Sequence, residues 1–457
     1  MSLFLAVVLL QDPGDRLLDA LRASDASAAR AALERLLEGD GRRAARVLAA
    51  ALPRCRERMG ALLDLHAAAR SRAIEVDPDG LRLGLESDRQ KKILVEQAKA
   101  LVKETAGRAL EAEKIYELLR AAFYGLKSRA APAVAAEAAR AGSWLLKCEL
   151  YEGLGAMGAH DELAAALDRE KDPVVVAAIL HAGLTLRALD HLADPGWQVR
   201  LGALHALRGS TRAVGPIIEA LPGPDARWRR TALESLARLT GLALPADSAV
   251  WREWWSVHRE QIEAGRPFEG RPPPPAGPGR TTFYEVPLAS TRLCILIDCS
   301  GSMREGGRFD TAKQEVRALV DGLPDGARIN VLFFAGTVRA FVKGTRTLDA
   351  QARRDVLQFV DEQGYEAATD LYRGLEKALE TVGSPESGRL REDGPDTIVV
   401  LSDGQATVGR LQDDELIARV IARRARYLRP AIHTVSLGDA PSFKLLAELT
   451  GGLHRVR

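Results

Sequence analysis

The sequence predicts a multidomain chain, with an N-terminal all-α part followed by a C-terminal α/β part on a doubly wound, mostly parallel sheet. Three observations carry this reading: apolar residues at helical spacing in the first half, a Pro/Gly-rich break before residue 280, and alternating apolar strands and helix patterns after it. At 457 residues the chain exceeds one ordinary domain. Hydrophobic residues at 46% and charged residues at 28% place it among globular chains, and Lys+Arg 64 against Asp+Glu 62 leaves no charge bias towards an anionic partner. No basic run is interleaved with aromatics, so nucleic acid is not an expected partner.

The chain opens on the apolar run Leu3 to Leu10, then Gln11-Asp12-Pro13. This resembles the hydrophobic part of a secretory signal, without a basic stretch before it or an Ala-x-Ala site after it. Residues 1–12 are therefore read as a possible truncated signal peptide, leaning the localisation towards export, periplasmic or secreted, with the cytoplasm as alternative. No other run approaches the ~20 apolar residues of a spanning helix, so no integral membrane span is expected.

Residues 13–128 read as an all-α region, rich in Ala, Leu, Arg and Glu, as in Ala28 to Leu37. Gly39-Asp40-Gly41 and Asp77-Pro78-Asp79-Gly80 divide its helices, and Gln90 to Leu119 fits one long helix with Leu94, Ala98, Leu101 and Val102 on one side. Residues 129–262 repeat loosely: Asp172-Pro173-Val174, Asp194-Pro195-Gly196-Trp197 and Pro224-Asp225-Ala226 each set Asp or Pro before a helix with small and branched residues. The pattern resembles HEAT-like repeats, which imply an α-solenoid, although its periods are irregular and short. Trp251-Arg252-Glu253-Trp254-Trp255 suits a cap on the last repeat. Residues 263–280 then form a Pro/Gly-rich linker around Pro272-Pro273-Pro274-Pro275, which cannot build a core.

In residues 281–457, strands are expected at Leu293 to Ile297, Ile329 to Phe334, Thr397 to Leu401 and Ile432 to Leu437. Helices are expected around Phe309 to Leu323, Ala350 to Glu362, Leu371 to Val382, Leu411 to Tyr427 and Ser442 to Leu449. The run Leu293 to Ile297 is apolar throughout, as in a strand covered on both faces, and it ends in Asp298-Cys299-Ser300-Gly301-Ser302. Alternate residues of an extended chain point the same way, so Asp298, Ser300 and Ser302 can turn oxygens to one point. Ligands of such sheets sit at the carboxyl ends of the strands. Thr369, in the loop Glu366-Ala367-Ala368-Thr369-Asp370-Leu371, and Asp403, in Leu401-Ser402-Asp403-Gly404, lie at that edge as well. Carboxylates and hydroxyls around a hard ion suit Mg2+ or Mn2+, with Ca2+ a further oxygen-seeking candidate, better than zinc.

These five positions, with the wording Asp-Cys-Ser-Gly-Ser-Met, Thr-Asp-Leu-Tyr and Leu-Ser-Asp-Gly-Gln, are similar to the metal-ion-dependent adhesion site (MIDAS) of a von Willebrand factor type A (VWA) domain, a Rossmann-like fold. The resemblance covers about Thr281 to Arg457. It implies that Ser300, Ser302 and Thr369 contact the ion through hydroxyls, and that Asp298 and Asp403 act mainly through waters. Neutral direct ligands leave the ion partly uncompensated and so attractive to an Asp or Glu carboxylate of a partner protein. The rim would include Arg304, Glu305, Gly306, Gly307 and Arg308. Gly451 to Arg457 reads as the last strand, so control through a shift of a final helix, as in integrin inserted domains, is not expected.

Cys55, Cys148, Cys294 and Cys299 form no Cys-x-x-Cys pair, and an extended strand sets Cys294 and Cys299 roughly 16 Å apart, so free thiols are expected. The expected function is a non-enzymatic, metal-dependent protein-binding module with a helical scaffold. The alternative, implied by the resemblance, is an adaptor or regulatory subunit of an ATPase- or chelatase-type machine. The chain itself carries no Gly-x-x-x-x-Gly-Lys-Ser/Thr loop. A hydrolase is disfavoured: no base is visibly poised, and Ser300 lacks a Gly-x-Ser-x-Gly elbow. The sequence indicates no oligomeric state.

Overall fold

The computed structural model describes residues 12–76, 88–126, 128–183, 187–207, 209–222, 226–242, 244, 247–264, 282–288, 290–403, 406–438 and 440–457. The N-terminal apolar run, the breaker at 77–80, linker residues 265–280 and Gly404 lie outside the described residues. The described residues fall into two compact units, one drawing on 12–20, 27–54 and 116–264 and the other on 21–26, 55–115 and 282–457.

Among the described residues the N-terminal part is built of helices, with α-helices in the order α1 (Pro13–Ala23), α2 (Ala26–Glu38), α3 (Gly41–Val76), α4 (Asp88–Tyr124), α5 (Ala131–Arg140), α6 (Trp144–Ala156), α7 (His160–Arg169), α8 (Pro173–His181), α9 (Trp197–Ala206), α10 (Val214–Ala220), α11 (Ala226–Thr240) and α12 (Ser248–Glu263). In the first unit the Asp-Pro segments start helices for a local reason. The Asp172 carboxylate accepts the Val174 amide at 2.9 Å and caps α8, with Pro173 in its first turn. Ahead of α9 the Asp194 carboxylate accepts the Gly196 amide at 2.7 Å. Val174 to Leu180 are all buried, so α8 is a central helix covered on every side. Gly202 of α9 lets two backbones approach, since a Cβ there would stand 2.8 Å from the Ala177 Cα. In α12, Trp251 is fully buried and meets Trp254 edge-on at 6.0 Å, while the Trp255 indole lies against Gly215 of α10. The tryptophans thus pack onto the preceding helices and cover apolar surface.

In the second unit, residues 55–76 of α3 and 88–115 of α4 run antiparallel: the Cys55 thiol reaches the Ala112 carbonyl at 3.6 Å, and His66 Nδ1 lies 3.0 Å from the Thr105 hydroxyl. Leu94 and Leu101 remain 40% and 38% exposed, so the apolar side read from the sequence is only partly covered among the described residues.

The α/β part follows as β1 (Thr282–Phe283), β2 (Val286–Pro287), β3 (Arg292–Asp298), α13 (Arg308–Gly322), β4 (Arg328–Phe334), β5 (Val338–Ala340), β6 (Arg346–Thr347), α14 (Ala350–Asp361), α15 (Leu371–Val382), β7 (Gly383–Ser384), β8 (Arg389–Leu390), β9 (Thr397–Ser402), α16 (Asp414–Ala425), β10 (Ala431–Ser436), α17 (Pro441–Thr450) and β11 (His454–Val456). The four long strands and five helices match the expected alternation to within three residues at most ends. The short antiparallel pieces β1, β2 and β5 to β8 escape a periodicity reading because two or three residues define no period.

The main sheet runs β11-β10-β9-β3-β4-β5, with β6 also on β4; β3, β4, β9, β10 and β11 are parallel, and β5 and β6 antiparallel to β4. Every residue of β3 is buried, as a central strand between helical layers requires. Leu293, Ile295 and Ile297 face a core shared with Phe309, Val316 and Leu319 of α13 and Val356 and Val360 of α14. The alternate face meets α15 and α17: Gly374 of α15 lies against Phe334, and the Thr434 hydroxyl donates to the Phe443 carbonyl at 3.0 Å. All four cysteines are buried free thiols, and burial pushes Cys294 and Cys299 up to about 12. They are therefore inert as nucleophiles.

The Gly202→Ala variant should destabilise the first unit by about 1–3 kcal/mol, because a methyl at this helix crossing meets backbone that cannot yield. Denaturant unfolding followed by circular dichroism measures it, and an unchanged midpoint would refute the close packing.

Candidate metal centre

The chain leaves β3, crosses to β4 on one side, and returns later to β9 on the other, so the connections diverge at the carboxyl end of β3. That divergence opens the crevice in which sheets of this type place ligands. Asp298 ends β3, and Asp403 follows β9 directly.

Asp298 is fully buried, yet both its oxygens are satisfied: Oδ1 accepts the Ser300 amide at 2.8 Å, and Oδ2 accepts the Ser402 hydroxyl. Burial pushes its carboxyl above the ordinary range, the hydrogen bonds from Ser402 and Ser300 oppose this, and neighbouring Asp403 adds to the rise. The Ser300 and Ser302 hydroxyls lie 3.1 Å apart. Ser302 Oγ donates to Asp403 Oδ1 at 2.9 Å, and Arg308 Nη1 donates to Asp403 Oδ2 at 2.8 Å. Asp298, Ser300, Ser302 and Asp403 thus form one chain of contacts across two strand ends.

Thr369 arrives through its backbone. Its amide donates to the Thr407 hydroxyl at 2.8 Å and its carbonyl accepts the Thr407 amide at 2.9 Å, while the Asp370 amide donates to the Ala335 carbonyl at 2.7 Å. The same loop is tied to the first by the Glu366 amide on the Cys299 carbonyl at 2.9 Å and a bridge between Ser300 and Glu366. Glu366 is held in turn by Thr337 at 3.0 Å and by an ion pair with Arg339. Thr369 is buried, and no hydrogen bond joins its hydroxyl to the other four residues among the described residues. Ala368, immediately before it, sits at φ 69°, a left-handed conformation costing a non-glycine residue of order 1 kcal/mol. Asp370 caps α15 by accepting the Arg373 amide at 3.0 Å.

The loop after β9 packs on the Asp370 cap through Gly409, at φ 97°, where a Cβ would overlap the Asp370 carboxylate. The helical pair reaches this loop within the second unit. Arg70 Nε donates to the Gly409 carbonyl at 2.9 Å, Arg410 pairs with Asp64, and Arg423 of α16 pairs with Glu113 at 3.0 Å.

Nothing in the sequence marks Ser402, Thr407 or Arg70 as contributors, and Arg308 is expected there only on the rim. Ser402 stands next to Asp403 in sequence, but its reach to Asp298 comes only from strand register, and Arg70, more than 300 residues away in sequence from its partner, has no local signal. Among the described residues, no group of three or more His, Cys, Asp or Glu gathers to hold an ion. A metal here would be held by hydroxyls together with two carboxylates, a hard oxygen set that fits a magnesium-type ion.

The sequence profile of the von Willebrand factor type A domain matches residues 293–452. Relatives named UPF0353 protein, from Mycobacterium ulcerans (strain Agy99) and Mycolicibacterium vanbaalenii, are 29% identical over 196 residues, 38% of this chain and 57% of theirs. The chain thus spans little more than half the length of the curated relatives it matches. Among solved structures, the von Willebrand factor type A protein from Catenulispora acidiphila aligns at 21% identity and TM-score 0.30, covering 38% of this chain and 40% of its own. The ArnB paralog VWA2 from Sulfolobus acidocaldarius aligns at 19% and 0.27, covering 37% and 41%. Proximal thread matrix protein 1 from the mussel byssus, in a structure titled as having a zinc-occupied MIDAS motif, aligns at 17% and 0.29, covering 37% and 43%. Such scores carry no weight alone, so the assignment rests on the matched profile together with the parallel sheet and its strand-end residues. Residues 293–452 of this chain are a von Willebrand factor type A domain, a kind of module associated with protein interaction.

Proposed function

We propose that this domain is a non-enzymatic, divalent-metal-dependent protein-binding module. In this reading an ion held by Asp298, Ser300, Ser302, Thr369 and Asp403 captures an Asp or Glu carboxylate of a partner, with the N-terminal helices as scaffold. The observation that carries it is the contact chain Asp298–Ser300–Ser302–Asp403 in the crevice between β3 and β9. Two carboxylates converge with hydroxyls here, Asp403 paired with Arg308 and Asp298 held by neutral donors alone, and a further cation would offset the cost of burying them together. When bound, the ion would supply a Lewis-acidic seat for a carboxylate. This chain's own residues hold the two strand ends in register, fix the loop of Thr369 through Thr407 and Ala335, and shield the carboxylates from bulk water. Mg2+ is the first choice, with Mn2+ or Ca2+ as oxygen-seeking substitutes. Among the described residues no helix is long and apolar enough to cross a membrane.

Asp298→Ala and Ser300→Ala should each abolish Mg2+ binding measured by calorimetry while leaving the circular dichroism spectrum intact; undiminished affinity in either variant would sink the site. At about 100 times its Kd, Mg2+ should add about 2.7 kcal/mol to the wild-type domain in denaturant titrations and nothing to Asp298→Ala. Capture of a partner on immobilised protein should require Mg2+ or Mn2+ and be reversed by EDTA. Capture indifferent to EDTA would move the working surface to the helices.

A further inference from the structure

Arg308 is the first residue of α13, and the turn that delivers it is unusual: Gly306 and Gly307 both sit in the left-handed region, at φ 60° and 68°. Two such residues in succession are inexpensive only for glycine, and they bring the chain back so that α13 begins beside the crevice. There the guanidinium takes the outer oxygen of Asp403 at 2.8 Å while Ser302 takes the other at 2.9 Å. The Asp403 side chain is fully covered, whereas that of Arg308 is 36% exposed. A second acidic side chain, Glu305, is 4.0 Å from Arg308 and 78% exposed, too far and too wet to compete. The pairing is therefore directed at the candidate metal ligand, and it sets a permanent cation where a second cation is expected to bind.

We infer that Arg308 is a fixed counter-charge of the metal centre. It holds the Asp403 carboxylate in place before the ion arrives and weakens the ion's binding by like-charge repulsion. It also leaves the loaded centre positive, which favours an anionic carboxylate over water as the last ligand. The charge balance gives the reason: two carboxylates neutralise a divalent ion, and Arg308 then leaves one positive charge at the rim. The inference rests on the metal reading above and adds a residue that tunes ion affinity against carboxylate capture.

Calorimetry with Mg2+ on the full chain tests it, using wild type, Arg308→Gln and Arg308→Lys. The Gln variant should bind Mg2+ about tenfold more tightly at low ionic strength, the scale of one partly screened unit charge, and the gap should shrink at about 0.5 M salt. The Lys variant, which keeps the charge but not the planar fork, should stay within about threefold of wild type. Because coupling is reciprocal, adding acetate as a carboxylate probe should tighten Mg2+ binding in wild type, and less so in Arg308→Gln. Weaker or unchanged Mg2+ binding in Arg308→Gln, with circular dichroism showing a folded chain, would reduce Arg308 to a positioning residue and overturn the inference. An equal acetate effect in both proteins would overturn its carboxylate part. Wild type and Arg308→Gln both failing to bind Mg2+ would remove the metal reading and this inference together, whereas a wild type that binds Mg2+ beside an Arg308→Gln variant that binds it no more tightly removes the inference alone.

Discussion

The carboxyl edge of the sheet in the α/β part is arranged around a carboxylate held where water cannot reach it. Asp298 closes a strand that is buried along its whole length, and its two oxygens are satisfied from different directions, by the Ser300 amide on its own loop and by the Ser402 hydroxyl of the neighbouring strand. An ionised group in such a place costs several kcal/mol without compensation, so the surroundings must supply it. The end of β9 must stay in register with β3, because Ser402 reaches Asp298 only then. A slip of one residue would turn Asp298 to the opposite face and send its apolar neighbours the other way.

From that constraint the rest of the edge follows. The loop between α14 and α15 is knitted to the first loop through Glu366 and to the third through Thr369 and Thr407. The left-handed backbone at Ala368 is tolerated because Thr369 and Asp370, the residues after it, are pinned by hydrogen bonds. Such local strain persists only where the surrounding structure holds it, as the hydrogen bonds on Thr369 and Asp370 do here. The glycine at 409 serves the same arrangement, leaving room for the Asp370 carboxylate that caps α15.

Most of this edge was legible in the sequence. The apolar run of β3 broken by Asp298, Ser300 and Ser302 announced a buried strand that ends in a carboxylate and two hydroxyls, and the strand-end rule pointed to Thr369 and Asp403 at the same edge. The long helices and strands were readable because their periods persist over many residues. Three things were not legible, each for a physical reason. Short antiparallel strands such as β5 and β6 exist through pairing with β4, and their own composition does not specify them. Ser402 points at Asp298 only because the register of two strands separated by a hundred residues aligns them. Arg308 gave no sign of pairing with Asp403, since that depends on two successive left-handed glycines whose effect is three-dimensional.

The helical pair within the second unit has a mechanical consequence. Arg70 holds the carbonyl of Gly409, Asp64 holds Arg410, and Glu113 holds Arg423, so one rigid pair of helices grips a stretch of chain a few residues after Asp403 at its near end and reaches into α16 at its far end. Displacing this stretch away from the helices would have to break three spaced contacts. The helical pair thus makes the strand-end loop a tethered element, fixed within the second unit at Gly409 and Arg410, with Arg423 of α16 held beyond them.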